Sequence, residues 1–296
     1  TMHAGKRHWT HQDIQARSQQ IDAFIQERLS EEQIEPAPLV AESTLLRRLY
    51  LDLIGRIPSI EEAQSYIDSS DPQKRDQLIN RLLESEGHVS HEYNHWADLL
   101  RIKSRMRNLP GQPYIEWVRN AFRRNMPYDE FVGQLINSKG YLWDDGATGF
   151  YFRDAGMELD HMANTFQVFL GTQVGCAQCH DHPYDSWTQK QYYEQAAYTY
   201  GVKTTDSKMN RKFRGLGNNK IRNDIDPALK AAARRMVRPL KYRVFESKTA
   251  LKLPDDYQYE DSKPKSKVTP HPMFGHLVDG KSDASLRQAY AEWLTS

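Results

Sequence analysis

At 296 residues, 39% hydrophobic and 27% charged, the chain has the length for one large domain or two lobes and the composition of a globular protein. A net charge of +1 gives no global field toward nucleic acid, which is not an expected partner, or toward a membrane surface. No run of about 18 apolar residues is present to form a transmembrane helix, and two cysteines exclude a disulfide-stapled scaffold.

The opening Thr1-Met2-His3-Ala4-Gly5-Lys6-Arg7 lacks the apolar core of a signal peptide, so any export signal is expected to have been removed or to lie outside this sequence. An amphipathic helix is predicted after Thr10, which caps it with Asp13; Ile14, Ile21, Phe24, Ile25 and Leu29 recur at helical spacing, and Pro36 and Pro38 follow its end. The next helix carries Leu45, Leu46, Leu49, Leu53 and Ile54 and stops at Gly55. Ser59 and Glu62 form a capping box for a short helix, and Asp71-Pro72 opens another through Leu78, Ile79, Leu82 and Leu83. Further helices are predicted over 90–106, 113–124 and 127–138.

Tyr141 to Arg153 reads as a loop because of its glycine and paired-aspartate breaks. Leu159 to Leu170 regains helical spacing through Met162, Phe166 and Phe169, after which Gly171 and Gly175 unwind the chain. Asp185-Ser186-Trp187-Thr188 starts a helix through Tyr192, Tyr193, Ala196 and Ala197 that ends at Gly201. Residues 203–245 then hold thirteen Lys or Arg against three Asp, with a glycine-containing Arg214–Asn219 stretch and a β-like alternation over Leu240–Phe245. The 262–272 segment is linker-like and a last helix is predicted from Ser285 to Leu294. The expected fold is therefore mainly α: a helix and linker over 1–40, a helical domain over 41–201, a basic irregular and β-containing portion over 202–282, and the start of a following domain at 283–296.

The two cysteines stand directly before a histidine, in Cys176-Ala177-Gln178-Cys179-His180. This is the attachment pattern of a c-type haem, in which both thiols add to the porphyrin vinyl groups and the histidine takes an axial iron site. A redox dithiol and a zinc site using His182 as a fourth ligand are the alternatives that the residues leave open. Glycine-rich phosphate loops and serine-elbow motifs are not present, which removes the commonest nucleotide and hydrolase readings.

The longer text, from Phe169-Leu170-Gly171 through Cys176-Ala177-Gln178-Cys179-His180-Asp181-His182-Pro183-Tyr184 to Trp187 and Gln189, resembles the signature of the planctomycete-type cytochrome c associated domain of unknown function. Leu46–Pro58, Trp96–Arg101, Tyr114–Val118, Asn125–Val132 and Arg153–Asp160 are similar to further segments of that family, so the likeness covers roughly 17–201. Leu286–Ser296 resembles the start of a second conserved domain, which implies that the chain is the N-terminal portion of something larger. The resemblance implies an exported c-type cytochrome module, in the periplasm or at the cell surface of a polysaccharide-degrading marine bacterium. It implies no assigned reaction.

On that reading one haem c is held per chain, by Cys176 and Cys179 as thioethers and His180 as the proximal ligand, whose other ring nitrogen is expected to donate to a carbonyl or carboxylate. Met157 is the first candidate for the opposite face of the iron and His161, four residues on, the second. Trp187 is the aromatic residue expected to touch the porphyrin, while Tyr192, Tyr193, Tyr198 and Tyr200 read mainly as core packing. The expected function is single-electron transfer to or from a partner protein or a C-terminal module. The alternatives are an oxidative, peroxidase-like haem enzyme using His161, His182 or Tyr200 as acid or base, and a non-haem zinc or iron structural site. The basic stretch 203–245 offers a contact for haem propionates, an acidic partner or a sulfated glycan.

Overall fold

A computed structural model describes residues 10–106, 108–206, 208, 211, 226–271 and 286–295. The fold is mainly helical, with two small two-stranded sheets. The chain divides into two compact units, one drawn from residues 1–51 and 56–74 and the other from 52–55 and 75–296.

The first unit holds α1 (His11–Glu31), most of α2 (Glu42–Ile54) and α3 (Ile60–Ile67). Thr10 and Asp13 close a capping box on α1, and Ser59 and Glu62 do the same for α3, so two starts read from the sequence are the starts observed. Ile14, Ile21, Phe24 and Ile25 of α1 are each more than half exposed. Glu62 also takes a two-pronged ion pair from Arg56 at 2.8 Å, which holds its carboxyl down at about 2.

The second unit contains α4 (Lys74–Leu83), α5 (Glu86–Leu99), the hairpin β1 (Arg105–Met106) and β2 (Leu109–Pro110), α6 (Gln112–Arg123), α7 (Tyr128–Asn137), α8 (Gly149–Arg153), α9 (Glu158–Leu170) and α10 (Gln189–Ala196). β3 (Val202–Thr205), α11 (Pro227–Val237), β4 (Tyr242–Glu246) and α12 (Leu286–Leu294) follow. Its core runs through Tyr114 and Val118 of α6, Leu135 and Ile136 of α7, Met162 and Phe166 of α9, and Tyr192 and Ala196 of α10. Val244 of β4 and Tyr290 of α12 belong to the same core.

Three local expectations are corrected. The helix predicted to 106 ends at Leu99, because Arg101 adopts a left-handed conformation (φ 51) whose N–H donates to Asp98 O while the Ile102 N–H reaches back to Ala97 O. The 141–153 stretch is not all loop: it carries a 3-10 turn at Gly146–Thr148 and then α8. Gly149, which reads as a breaker, is a contact point, since a Cβ there would come within 2.2 Å of the Tyr114 ring.

The third correction is the segment after Gly201, which is more ordered than its composition suggests. β4 forms where alternation was read, paired antiparallel with β3 in a register of Val202 against Glu246 and Thr205 against Tyr242. The 262–271 part of the expected linker folds back by hydrogen bonds from Leu253 N–H to Ser266 O and from Val268 N–H to Leu251 O. The expected Arg214–Asn219 stretch and Ser285 lie outside the described residues.

Candidate functional site

The Cys176–His180 segment lies between α9 and α10. Gly171, in the left-handed conformation at φ 64, closes α9, and a 3-10 turn over Gly175–Gln178 follows. Side chains three apart eclipse one another on such a turn. Val174 (1% exposed) and Ala177 (0%) therefore share the inward face and hold the segment on the core, while Cys176 and Cys179 share the outward face, exposed and unpaired. The turn thus leaves both cysteines exposed while its apolar residues are buried.

His180 is also exposed, and its Nδ1 lies 2.7 Å from Asp181 O. A carbonyl only accepts, so in the neutral ring Nδ1 carries the proton and Nε2 keeps a free lone pair. Asp181 is fixed from two further sides. Its N–H donates to the Tyr259 hydroxyl at 2.7 Å, and its carboxylate accepts the Gln189 N–H at 2.8 Å at the start of α10. His182 donates its N–H to Trp187 O at 2.8 Å, and its Nδ1 accepts the Tyr184 N–H at 3.3 Å. Trp187 stands edge-on to Phe166 with ring centroids 5.2 Å apart.

A half-open cavity of about 540 Å³ adjoins the turn. Cys176 and His182 reach it from the motif, Met157 (46% exposed) from the start of α9, and Asp160, Asn164 and Gln167 from one polar stripe of that helix. Arg101 and Asp154 complete its wall. The Asp154 carboxylate is buried and takes Arg101 Nη2 at 3.0 Å on both oxygens, Arg153 Nη1 at 3.2 Å, and His161 Nδ1 and Asn164 Nδ2 at 3.4 Å. Burial alone would raise its pKa; the His161 hydrogen bond and the Arg101 and Arg153 charges outweigh burial and leave it below the ordinary value.

The donors fit a covalently held haem in their thiol placement and in the free Nε2 of His180, and the volume falls within the range of about 300–1,000 Å³ usual for small-molecule sites. The cavity wall is more polar than an apolar macrocycle alone requires. Among the described residues no three or more His, Cys, Asp or Glu side chains converge to hold a metal ion.

Residues 20–204 match the family PSCyt2, a protein of unknown function (DUF1549). The chain belongs to the PSCyt2 family. Comparison with curated proteins and with solved structures gives no match. The PSCyt2 match takes in α9, the cysteine turn and α10 and ends within β3. Among the described residues of this PSCyt2 chain, no helix is long and apolar enough to cross a membrane.

Of the residues singled out from the sequence, Met157 and Cys176 share the cavity, Cys179 and His180 lie exposed beside it, and Trp187 packs on Phe166. His161 lies behind the wall, 4% exposed, with its ring against Phe150 and Tyr151 and its Nδ1 toward Asp154. In the basic stretch, Lys203 pairs with Glu158 at 2.9 Å and Arg243 with Asp206 at 3.2 Å. Sequence reasoning missed the roles of Arg101, Asp154 and Tyr259. The first two stand in blocks noted for family resemblance, which was the available signal.

Proposed function

We propose that this PSCyt2 chain is an exported monohaem c-type cytochrome domain that passes single electrons to or from a partner protein or module. The observation that carries this reading is the pair of exposed cysteines on one tight turn, beside a histidine whose Nδ1 is committed to a carbonyl. A haem bound there supplies a one-electron iron couple.

The chain's own residues hold and orient. Cys176 and Cys179 would carry the two thioethers, and an exported location, in the periplasm or at the cell surface, goes with that reading. His180 would offer Nε2 to the iron, its tautomer and ring plane fixed by the Asp181 carbonyl. Met157 brings a thioether to the cavity and would be the candidate for the second axial position, whereas His161 Nδ1 is committed to Asp154.

The test is maturation in a bacterial periplasm equipped for haem attachment, followed by intact mass after denaturation and by reduced and oxidised visible spectra. One covalent haem per chain is expected, lost in Cys176→Ser/Cys179→Ser. An unmodified mass in the wild-type chain would sink the proposal. Met157→Ala should convert a low-spin ferric spectrum to a high-spin one; an unchanged spectrum removes Met157 as ligand.

A second reading, oxidative chemistry at the iron, is favoured by one observation, the polar cavity wall with Arg101, Asn164 and His182 next to Cys176. It predicts a high-spin ferric wild type. A low-spin wild type eliminates it.

A further inference from the structure

Two segments 53 residues apart meet at the cavity wall, the helix end Trp96–Arg101 and the turn Arg153–Asp160. Arg101 occupies the position after a helix end that glycine usually fills, and it does so at φ 51, a conformation strained for an L-residue. Three contacts hold it there. Its N–H closes the helix onto Asp98 O, its carbonyl accepts Arg153 Nε at 2.7 Å, and its Nη2 bridges both oxygens of Asp154. Strained backbone held by surrounding structure is a recurring property of ligand clamps.

The bonding at Asp154 leaves Arg101 partly unspent. Arg153, His161 and Asn164 also donate to that carboxylate, so two arginine charges face one aspartate. Among the described residues Arg101 Nε and Nη1 have no protein partner, and 38% of the side chain is exposed at the cavity. The amide side chains of Asn164, Gln167 and Gln173 line the same space. Asp160 lies on it too and disfavours a polyanion.

We infer that the cavity is a carboxylate-binding site in which Arg101 is the recognition residue, oriented by Asp154, and the wall amides complete the hydrogen bonding. With Nη2 given to Asp154, the donors left are Nε–H and Nη1–H, which lie on opposite sides of the guanidinium and so offer a carboxylate one charge-assisted N–H each rather than a parallel fork. The carboxylate has two sources, a propionate of a haem attached at Cys176 and Cys179 or a small free carboxylic acid. The inference itself needs no cofactor.

The test titrates cofactor-free wild-type protein with succinate at constant ionic strength and follows the arginine Nε–Hε signals by NMR. A saturable shift of the Arg101 signal is expected, with the apparent affinity falling roughly tenfold or more in Arg101→Gln. Asn164→Ala, which leaves Arg101 in place, should weaken binding less. No saturable shift beyond that of sodium chloride overturns the inference, whether or not the haem proposal stands. In haem-loaded protein, loss of the succinate response with altered propionate signals in Arg101→Lys assigns the carboxylate to the cofactor. A persisting response assigns it to a free acid.

Discussion

Asp154 is buried among donors from three helix segments, so its negative charge is what keeps Arg153 and the inner edge of Arg101 compensated. Asp154→Asn should lower stability by about 3 kcal/mol at neutral pH, since one member of a buried ion pair is removed while the others stay. A folded pKa below the unfolded value near 3.9 means that this stability is fully present above about pH 4 and is lost as pH falls through the folded value. Urea unfolding of wild type and variant should therefore differ at pH 7 and converge toward pH 2, and a gap that persists in acid would refute the argument. None of this was visible from residue types. An arginine and an aspartate 53 positions apart, each in a polar context, read as ordinary surface charges. Cys176, Cys179 and His180 stand out as candidates in the sequence because their spacing is local.

Helices bounded by local signals were read nearly to the residue. α9 closes at a glycine and α3 opens on a capping box, because each boundary is decided by side chains within four positions, whereas α10 spans Gln189–Ala196 and is shorter than the stretch read to Gly201. α8 and β3 were missed because their signals are tertiary: α8 is set by Gly149 lying on the Tyr114 ring, and β3 by pairing with a strand about forty residues on. Gly149→Ala should accordingly cost about 1–3 kcal/mol through overpacking against Tyr114, read as a lower urea midpoint. α12 shows the same dependence on distant partners. Arg287, nearly buried, donates to Ile136 O at 2.9 Å and Ser138 O at 2.8 Å, carbonyls at the end of α7, and its Nε pairs with Glu246 of β4. Arg287→Met keeps the stem but leaves the Ser138 carbonyl unsatisfied, at a cost of about 2 kcal/mol. Hydrogen exchange should quicken in 286–294 and 242–246 together; quickening in α12 alone would show that Arg287 does not join them.

Across the whole molecule, the second unit builds one core from segments as distant as Leu100 and Leu294, with the stretch from Leu251 to Val268 contributing Leu253 and Tyr257. That last stretch also supplies Tyr259, which holds the N–H of Asp181 beside His180. Chain after the helical portion is thus part of the motif's support, and composition alone, rich in Lys, Pro and Ser, concealed it. Tyr259→Phe removes one hydroxyl and should release the Asp181 N–H, seen as faster exchange of that amide with the unfolding midpoint nearly unchanged. An Asp181 amide that stays equally protected would mean that this bond does not restrain the loop.

The turn that leaves two cysteines exposed while burying Val174 and Ala177 also bears on the order of assembly. The anchoring side chains are satisfied by the polypeptide itself, so on the proposed haem reading folding and attachment would be separable events. Cys176→Ser/Cys179→Ser should then fold as well as the cofactor-free parent while accepting no haem. In the parent, both cysteines should take an alkylating reagent without denaturant, and attachment should silence both at once. On that proposal a maturation apparatus would meet this chain as a folded substrate with both cysteines accessible.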